Sequence, residues 1–392
     1  MNLFNTKAPI TITCQNRLSS YLAKEVEELG FCVDKVFPTG LSLEGNLNDC
    51  IKLNLNLCCA SQALYQLKEF EANDPDALYA NLIDFPWEKI LPGNGYFSIT
   101  SNVNTPSINN SMYANLRVKD AIVDRIREKN GKRPLTGAAL LGAVIHLYWK
   151  NKEACVFIDS SGNSLGRHGY RKIPGAAPML EALASAAIYA TGWDKASPFV
   201  NPMCGSGTLA IEAAMMATKR KPGLFRSNYA FMHLKGYEEK IYQREREQLE
   251  RQIISRPGLR IIATDHSKPA IENAKKNAVA AGVFDLIQFS ICDFAETPVP
   301  KGLEGIVFLN PEYGERLGNP DRLEDTYKRI GDFLKKECGG YLGYVFTGNL
   351  ELAKKIGLKA KRRIEFFTSV IDCRLLEYEL YSGTRTGKTH TD

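Results

Sequence analysis

Long apolar runs are missing from this chain. No stretch reaches the ~18 residues a membrane-spanning helix needs, which argues against a helical membrane protein. The start, Met1-Asn-Leu-Phe-Asn-Thr-Lys7, lacks the basic stretch, long apolar stretch and small-residue cleavage site of a secretory leader, so a cytoplasmic protein is expected. Metal-ligand spacing is missing as well. The ten cysteines are scattered without a C-x-x-C pair, only Cys58 and Cys59 being adjacent, and His146, His168, His233, His266 and His390 form no H-x-x-x-H. Reduced, mostly buried thiols and no metal are expected. No fixed-period repeat occurs, which excludes a solenoid or propeller. With 44% hydrophobic and 24% charged residues the chain also lacks the bias of a disordered one, and its 392 residues suffice for two or three domains.

What is present begins with a modest net charge of +6, unevenly spread. Residues 117–133 carry seven basic and three acidic side chains, residues 219–226 four basic and none acidic, and residues 354–363 six basic and none acidic. A single cluster of this kind is a solvated face. Three together, in a chain with the motifs described below, point to phosphate contacts and salt-dependent binding.

Periodicity divides the chain. Residues 1–65 alternate strand and helix signals: strands over Ile10–Cys14, Cys32–Phe37 and Leu41–Glu44, helices over Leu18–Leu29 and Asn48–Ala60. Residues 66–165 form a second unit, with a helix near Asp76–Ile83, a strand from Gly95, a basic amphipathic helix over Ser111–Lys129, and a hairpin of Gly142–Trp149 with Glu153–Asp159. From residue 166 to about 385 the pattern becomes alternating β and α, with a helix over Pro178–Thr191. Strands follow at Phe199–Val200, Arg260–Thr264, Ile287–Ile291, Gly305–Leu309 and Gly340–Phe346, and two more over Ile364–Tyr381. That order predicts a mostly parallel, doubly wound sheet ending in an antiparallel hairpin.

Four motifs sit at strand ends. Asn201-Pro-Met-Cys-Gly-Ser-Gly-Thr208 is a glycine turn between a strand and a helix, suited to a ligand approaching the helix start. Asp265 follows the next strand, where a carboxylate can accept both hydroxyls of a ribose, and Asp293 follows the third. Phe308-Leu-Asn310-Pro311-Glu312-Tyr313-Gly314-Glu315-Arg316-Leu317 closes the series. The Asn310 side-chain carbonyl and the Pro311 backbone carbonyl can each accept one N–H of an exocyclic amine, and the Tyr313 ring can stack on a heterocycle. A G-x-G alone is weak, and each Asp alone reads as a cap or surface acid. Carboxylates at successive strand ends, however, line one crevice.

The order NPMCGSGT, ATDHS, ICDF, NPEYGERL resembles the S-adenosylmethionine-dependent N-methyltransferases, in particular the bacterial THUMP-domain rRNA guanine-N2 methyltransferases of the RlmL-like group. The resemblance extends to Ser160–Lys172, Ala177–Ala186, Phe70-Glu-Ala72, Phe85-Pro-Trp-Glu88 and Ile371–Leu380. It implies an α/β protein: a Rossmann-like class I methyltransferase sheet over 166–385, preceded by an α+β module with a ferredoxin-like domain (1–65) and an RNA-binding THUMP domain (66–165). It further implies that Asn201, Pro202, Cys204, Gly205, Ser206, Gly207 and Thr208 bind the methionine part of the cofactor, with Pro178 flanking it. Asp265 would hold the ribose, Asp293 the adenine, and Asn310, Pro311 and Tyr313 the target amine and base. Two positions depart from the commonest pattern: Asn201 stands where Asp is frequent, and Glu312 where the second proline of Asn-Pro-Pro-Tyr stands. RNA contacts are expected from Arg117, Lys119, Arg125, Arg127, Lys132 and Arg133, and from Arg167 and Arg171 in a basic strip where Arg and Tyr side by side suit phosphate and bases. The expected activity is methylation of an exocyclic amine in RNA, guanine N2 of 23S rRNA foremost. Guanine N2 in tRNA or adenine N6 in a nucleic acid is the alternative, and a decayed, RNA-binding assembly protein the rival from another class.

Overall fold

Strand β1 (Ala8–Cys14) buries Ile10, Ile12 and Cys14 on one face, the period-two pattern of a half-covered strand. The computed structural model describes residues 2–173, 178–313, 320–368 and 371–381. In chain order, β1 leads to α1 (Ser19–Glu28), β2 (Lys35–Phe37), β3 (Gly40–Gly45), α2 (Leu47–Asn56), β4 (Ala60–Glu71) and α3 (Pro75–Ile83). Then come β5 (Tyr96–Asn104), α4 (Ser111–Asn130), β6 (Leu135–Thr136), β7 (Ala143–Lys150) and β8 (Glu153–Asp159). Helix α2 starts where it does because Asn46 accepts from the Asn48 and Asp49 amides while Asp49 accepts from the Asn46 amide, a reciprocal cap.

These strands form one eight-stranded sheet in the order β2-β3-β1-β4-β8-β7-β5-β6. The expected boundary at residues 65 and 66 lies inside β4. The first half of β4 pairs antiparallel with β1 (Ile12 opposite Ala63), and its second half pairs with β8 (Phe70 opposite Ala154). A strand this long serves two partners on opposite edges, which joins the two expected units into one sheet.

The chain divides into two compact units: residues up to His168 together with Lys221–Arg251, and Gly169–Arg220 together with Gln252 onward. Segment 221–251 carries α7 (Glu239–Arg251), for which no element was expected, and it is anchored in the first unit by buried apolar side chains such as Phe231 and by polar contacts. Arg226 donates to the carbonyls of Ser161, Asn163 and Ser164 at 2.8–3.2 Å and lies over the Tyr229 ring, while the half-buried Lys221 lies near Glu25.

The second unit contains α5 (Glu181–Thr191), β9 (Phe199–Pro202), α6 (Thr208–Ala217), β10 (Ile261–Asp265), α8 (Lys268–Ala280) and β11 (Ile287–Ile291). It continues with β12 (Ile306–Leu309), α9 (Pro320–Glu337), β13 (Leu342–Thr347), α10 (Leu350–Lys354), β14 (Arg362–Thr368) and β15 (Ile371–Glu379). The sheet order is β11-β10-β9-β12-β13-β15-β14, parallel from β11 to β13 with β15 and β14 antiparallel. This is the expected class I methyltransferase sheet. Strands β9, β10 and β12 are buried at every position, as befits parallel strands covered on both faces. On one side Val200, Val307, Val345 and Leu376 pack under Tyr327, Ile330 and Phe333 of α9. Strand order reverses between β9 and β12, and the crevice outside the carboxyl ends at such a reversal is where open α/β sheets bind ligands.

Candidate active site

Three of the four motifs leave the sheet at that reversal or beside it. After β9 the backbone turns through Met203 (φ 55°), Gly205 (φ 54°) and Gly207 (φ 83°) before α6 begins. A methyl group on Gly207 would sit 2.9 Å from the Ala274 side chain of α8, so glycine is required there both for the left-handed backbone and for the helix approach. At Gly205 the same position is open, and its open side belongs to a cavity. The N-cap of α6 is Gly207, which has no side chain to cap it, so among the described residues its first amides stay available to a ligand.

The cavity has a volume of about 820 Å³. Its walls include Pro178 and Met179, Met203 to Ser206 with Thr208, Asp265 with His266, Asp293 with Phe294, Asn310 with Glu312, and the α9 side chains Arg322, Thr326 and Arg329. Asp265 is held rigidly: one carboxylate oxygen accepts the Gly205 amide and the other the Ser267 amide, each at 2.9 Å. Each oxygen keeps a further lone pair for a hydroxyl. Asp293 caps the turn after β11 and takes the Arg329 guanidinium at 2.7 Å. Burial alone would raise its pKa, but the Ala295 amide and Arg329 outweigh it and hold the carboxyl below the usual range. Arg329 also lies 4.9 Å over the Phe294 ring.

At the end of β12, the Asn310 side-chain oxygen is buried with no hydrogen-bond partner among the described residues. Such an orphan acceptor beside a cavity is where a donor on a ligand is accommodated. Pro311 is buried, Glu312 exposed.

Not every expected residue reaches the cavity. Asn201 is wholly buried, its side-chain amide donating to the Phe308 carbonyl at 2.8 Å and so tying β9 to β12. Asn201, Pro202 and Gly207 stand behind the lining, as supports of the turn. Tyr313 also lies outside the lining: its ring packs against Phe346 and Gly348, its hydroxyl stands 4.0 Å from the Cys373 sulfur, and burial pushes its pKa up to about 12. Gly314 to Leu317 of the same motif fall outside the described residues.

The expected helix over Pro178–Thr191 begins only at Glu181, because Leu180 is extended and Arg171 takes the Met179 carbonyl (2.5 Å) and the Thr208 hydroxyl (2.8 Å). Arg171, expected to contact RNA, has a side chain that is 12% exposed and clamps the cavity wall. Three of the other seven basic positions expected to contact RNA are also engaged. Arg125 makes a two-pronged pair with Glu88, Arg117 pairs with Asp76 and Lys119 with Asp120. In 354–363, Lys354, Lys355, Lys361 and Arg362 all have carboxylate partners. Arg127, Lys132, Arg133 and Arg167 are exposed without an ion pair among the described residues.

Residues 168–377 match the RMKL-like methyltransferase domain, residues 72–159 the THUMP domain, and residues 9–64 the RlmL ferredoxin-like domain. The chain belongs to the RMKL-like methyltransferase family. The ribosomal RNA large subunit methyltransferase K/L of Syntrophotalea carbinolica is 34% identical over 95% of this chain and 54% of its own length. The chain thus spans about half the length of the curated relatives it matches. Among solved structures, the methyltransferase SMU.472 complexed with SAH has a TM-score of 0.88 at 25% identity, covering 97% of this chain and all of that one. A protein from Listeria monocytogenes, described as a predicted N6-adenine-specific DNA methylase, has a TM-score of 0.85 at 29% identity, covering 96% and 97%.

Sequence reasoning missed three parts of this RMKL-like site. Phe294 follows Asp293 directly and was legible as a platform beside it. His266 follows Asp265 in the same way. The α9 wall had no local signal, because Arg322, Thr326 and Arg329 meet the cavity only through the packing of Tyr327 and Ile330 on the sheet.

Proposed function

We propose that this chain is an S-adenosylmethionine-dependent RNA N-methyltransferase that methylates an exocyclic base amine, guanine N2 of 23S rRNA foremost. The observation that carries it is the orphan oxygen of Asn310, a residue that lines the same cavity as the open glycine turn, Asp265 and Asp293. The SAH complex of SMU.472 and the rRNA names of the K/L relatives support the cofactor and the substrate class. The residues present fit the cofactor: open backbone at Gly205, uncapped α6 amides, a fixed acceptor for hydroxyls at Asp265, and a cavity large enough for a nucleoside with its amino-acid tail.

When bound, the sulfonium supplies an activated methyl group, the S–C bond breaking as the N–C bond forms. Asn310 and the Pro311 carbonyl accept the two amine N–H groups, which aims the nitrogen lone pair and supports the positive charge growing on it. The proton then leaves to water. A paired base cannot reach this wall, so the target is flipped or already unpaired. Tyr313 stacks on that base after leaving its place against Phe346 and Gly348. The THUMP-containing unit holds structured RNA through Arg127, Lys132 and Arg133, and the protein works in the cytoplasm. The Listeria relative's description supports adenine N6 as the second reading.

The test is transfer of tritiated methyl from S-adenosylmethionine to rRNA from a strain lacking this gene. Wild-type protein should label the rRNA. Asn310→Ala should keep its affinity for SAH while single-turnover transfer falls by about 10²–10³, the scale of one lost transition-state hydrogen bond. Near-normal turnover by the variant would show that Asn310 does not hold the amine.

A further inference from the structure

We propose that Glu312 selects guanine over adenine and cytosine at the amine site, an inference that rests on the methyl-transfer reading above. Glu312 is exposed on the cavity wall, two positions after Asn310. Among the described residues its carboxylate has no ion pair or hydrogen bond, and the neighbouring Asn310 oxygen is likewise without a partner. The end of β12 therefore brings two acceptor-bearing side chains to the cavity wall, the Asn310 amide and the Glu312 carboxylate, with the buried Pro311 between them in the chain.

Two acceptors on the amine do not distinguish bases, since guanine N2, adenine N6 and cytosine N4 all present two N–H groups. The ring atoms beside the amine do. In guanine one flanking atom is N1, which carries a hydrogen. In adenine the flanking nitrogen is N1 with a lone pair, and in cytosine it is N3 with a lone pair. A carboxylate only accepts. Beside an amine already held by Asn310 and Pro311, Glu312 completes a charge-assisted hydrogen bond with guanine N1–H, but faces a lone pair on either of the other bases. A carboxylate that gives up water for no partner is costly, and sites built to bond a substrate N–H reject analogues lacking it far more strongly than apolar sites reject a change of size. A proline at this position, as in the commonest form of the motif, has no side-chain acceptor. The departure at Glu312 therefore adds a means of base selection to a turn that otherwise only holds an amine.

The experiment compares wild type, Glu312→Gln and Glu312→Pro in single-turnover methylation of rRNA from a strain lacking the gene, with nucleoside mass spectrometry of the product. Calorimetry with SAH and saturation-transfer NMR with guanosine and adenosine monophosphates, on SAH-bound protein, give readouts independent of turnover. Wild type should form N2-methylguanosine and favour guanosine monophosphate. Both variants should bind SAH as wild type does, lose the preference between the nucleotides, and methylate guanine about 10–100-fold more slowly. The proposal is overturned if both variants keep the wild-type rate and preference, or if the wild-type product is N6-methyladenosine, and in either case methyl transfer itself stands. Wild-type protein that binds SAH yet methylates no RNA would remove the reading beneath and this proposal with it.

Discussion

Asp159 and His146 show how single buried groups in the first unit set its response to pH. Burial raises the Asp159 carboxyl to about 6, despite hydrogen bonds from Gln62 and the amides of Gly162 and Ser161. Burial lowers His146 to about 4. For Asp159 the folded pKa lies above the unfolded one, so its stabilisation is complete below about pH 4 and is lost as pH rises through 6. For His146 the folded pKa lies below the unfolded one, so its stabilisation is complete above about pH 6.5 and is lost as pH falls through 4. The two slopes oppose each other across the same window, each amounting to a few kcal/mol at most on the scale of ~1.4 kcal/mol per unit. Denaturant titrations from pH 4 to 7 should therefore give a nearly flat curve for the wild type. Asp159→Asn should become more stable as pH rises, and His146→Gln less stable. Parallel curves for the two variants would show that these groups do not control the pH response.

Among the elements, helix α8 does more than cover the sheet. Asn277 is wholly buried, and its side chain accepts from the Lys172 and Ile173 amides at 3.0 and 3.1 Å while donating to the carbonyls of Ile173 and Ser206 at 3.0 and 3.2 Å. One side chain thus joins the segment before α5 to the glycine turn, and Arg171 repeats the link from the other end through Met179 and Thr208. Asn277→Ala would strand the Ser206 carbonyl and leave the part-buried amides and carbonyl of Lys172 and Ile173 without their partner, at a cost of about 1–3 kcal/mol for a buried group left unpaired. Urea unfolding should register a loss of at least ~2 kcal/mol, and calorimetry a weaker affinity for SAH, because the turn is no longer held. A variant with normal stability and normal affinity would mean that α8 only fills space.

For the whole molecule, segment 221–251 decides what can be cut apart. A fragment ending at residue 165 omits Arg226 and Lys221, although Arg226 closes the carbonyls after β8 and Lys221 lies by the buried Glu25. Burial raises the Glu25 pKa, and the nearby Lys221 charge opposes that shift. Without Lys221 the fragment keeps a buried carboxyl with one less compensating charge, so it should melt well below the first-unit transition of the full chain, as read by circular dichroism and proteolysis. Equal melting temperatures would show that 221–251 is an ornament. Strand ends and turns were legible in the sequence: the glycine turn, Asp265, Asp293 and Asn310 each declare themselves within a few residues, because a strand, a break and a polar group at the break are local facts. The strands of the second unit and the basic helix over Ser111–Asn130 were legible for the same reason. Tertiary structure alone decided which charges stay free, since Arg117 and Arg125 find Asp76 and Glu88 about 40 residues away, and Arg171 finds Thr208. It alone made β4 a strand shared by two expected domains, set Asn201 behind the turn, and brought α9 to the cavity, because pairing and burial depend on partners that no local pattern names.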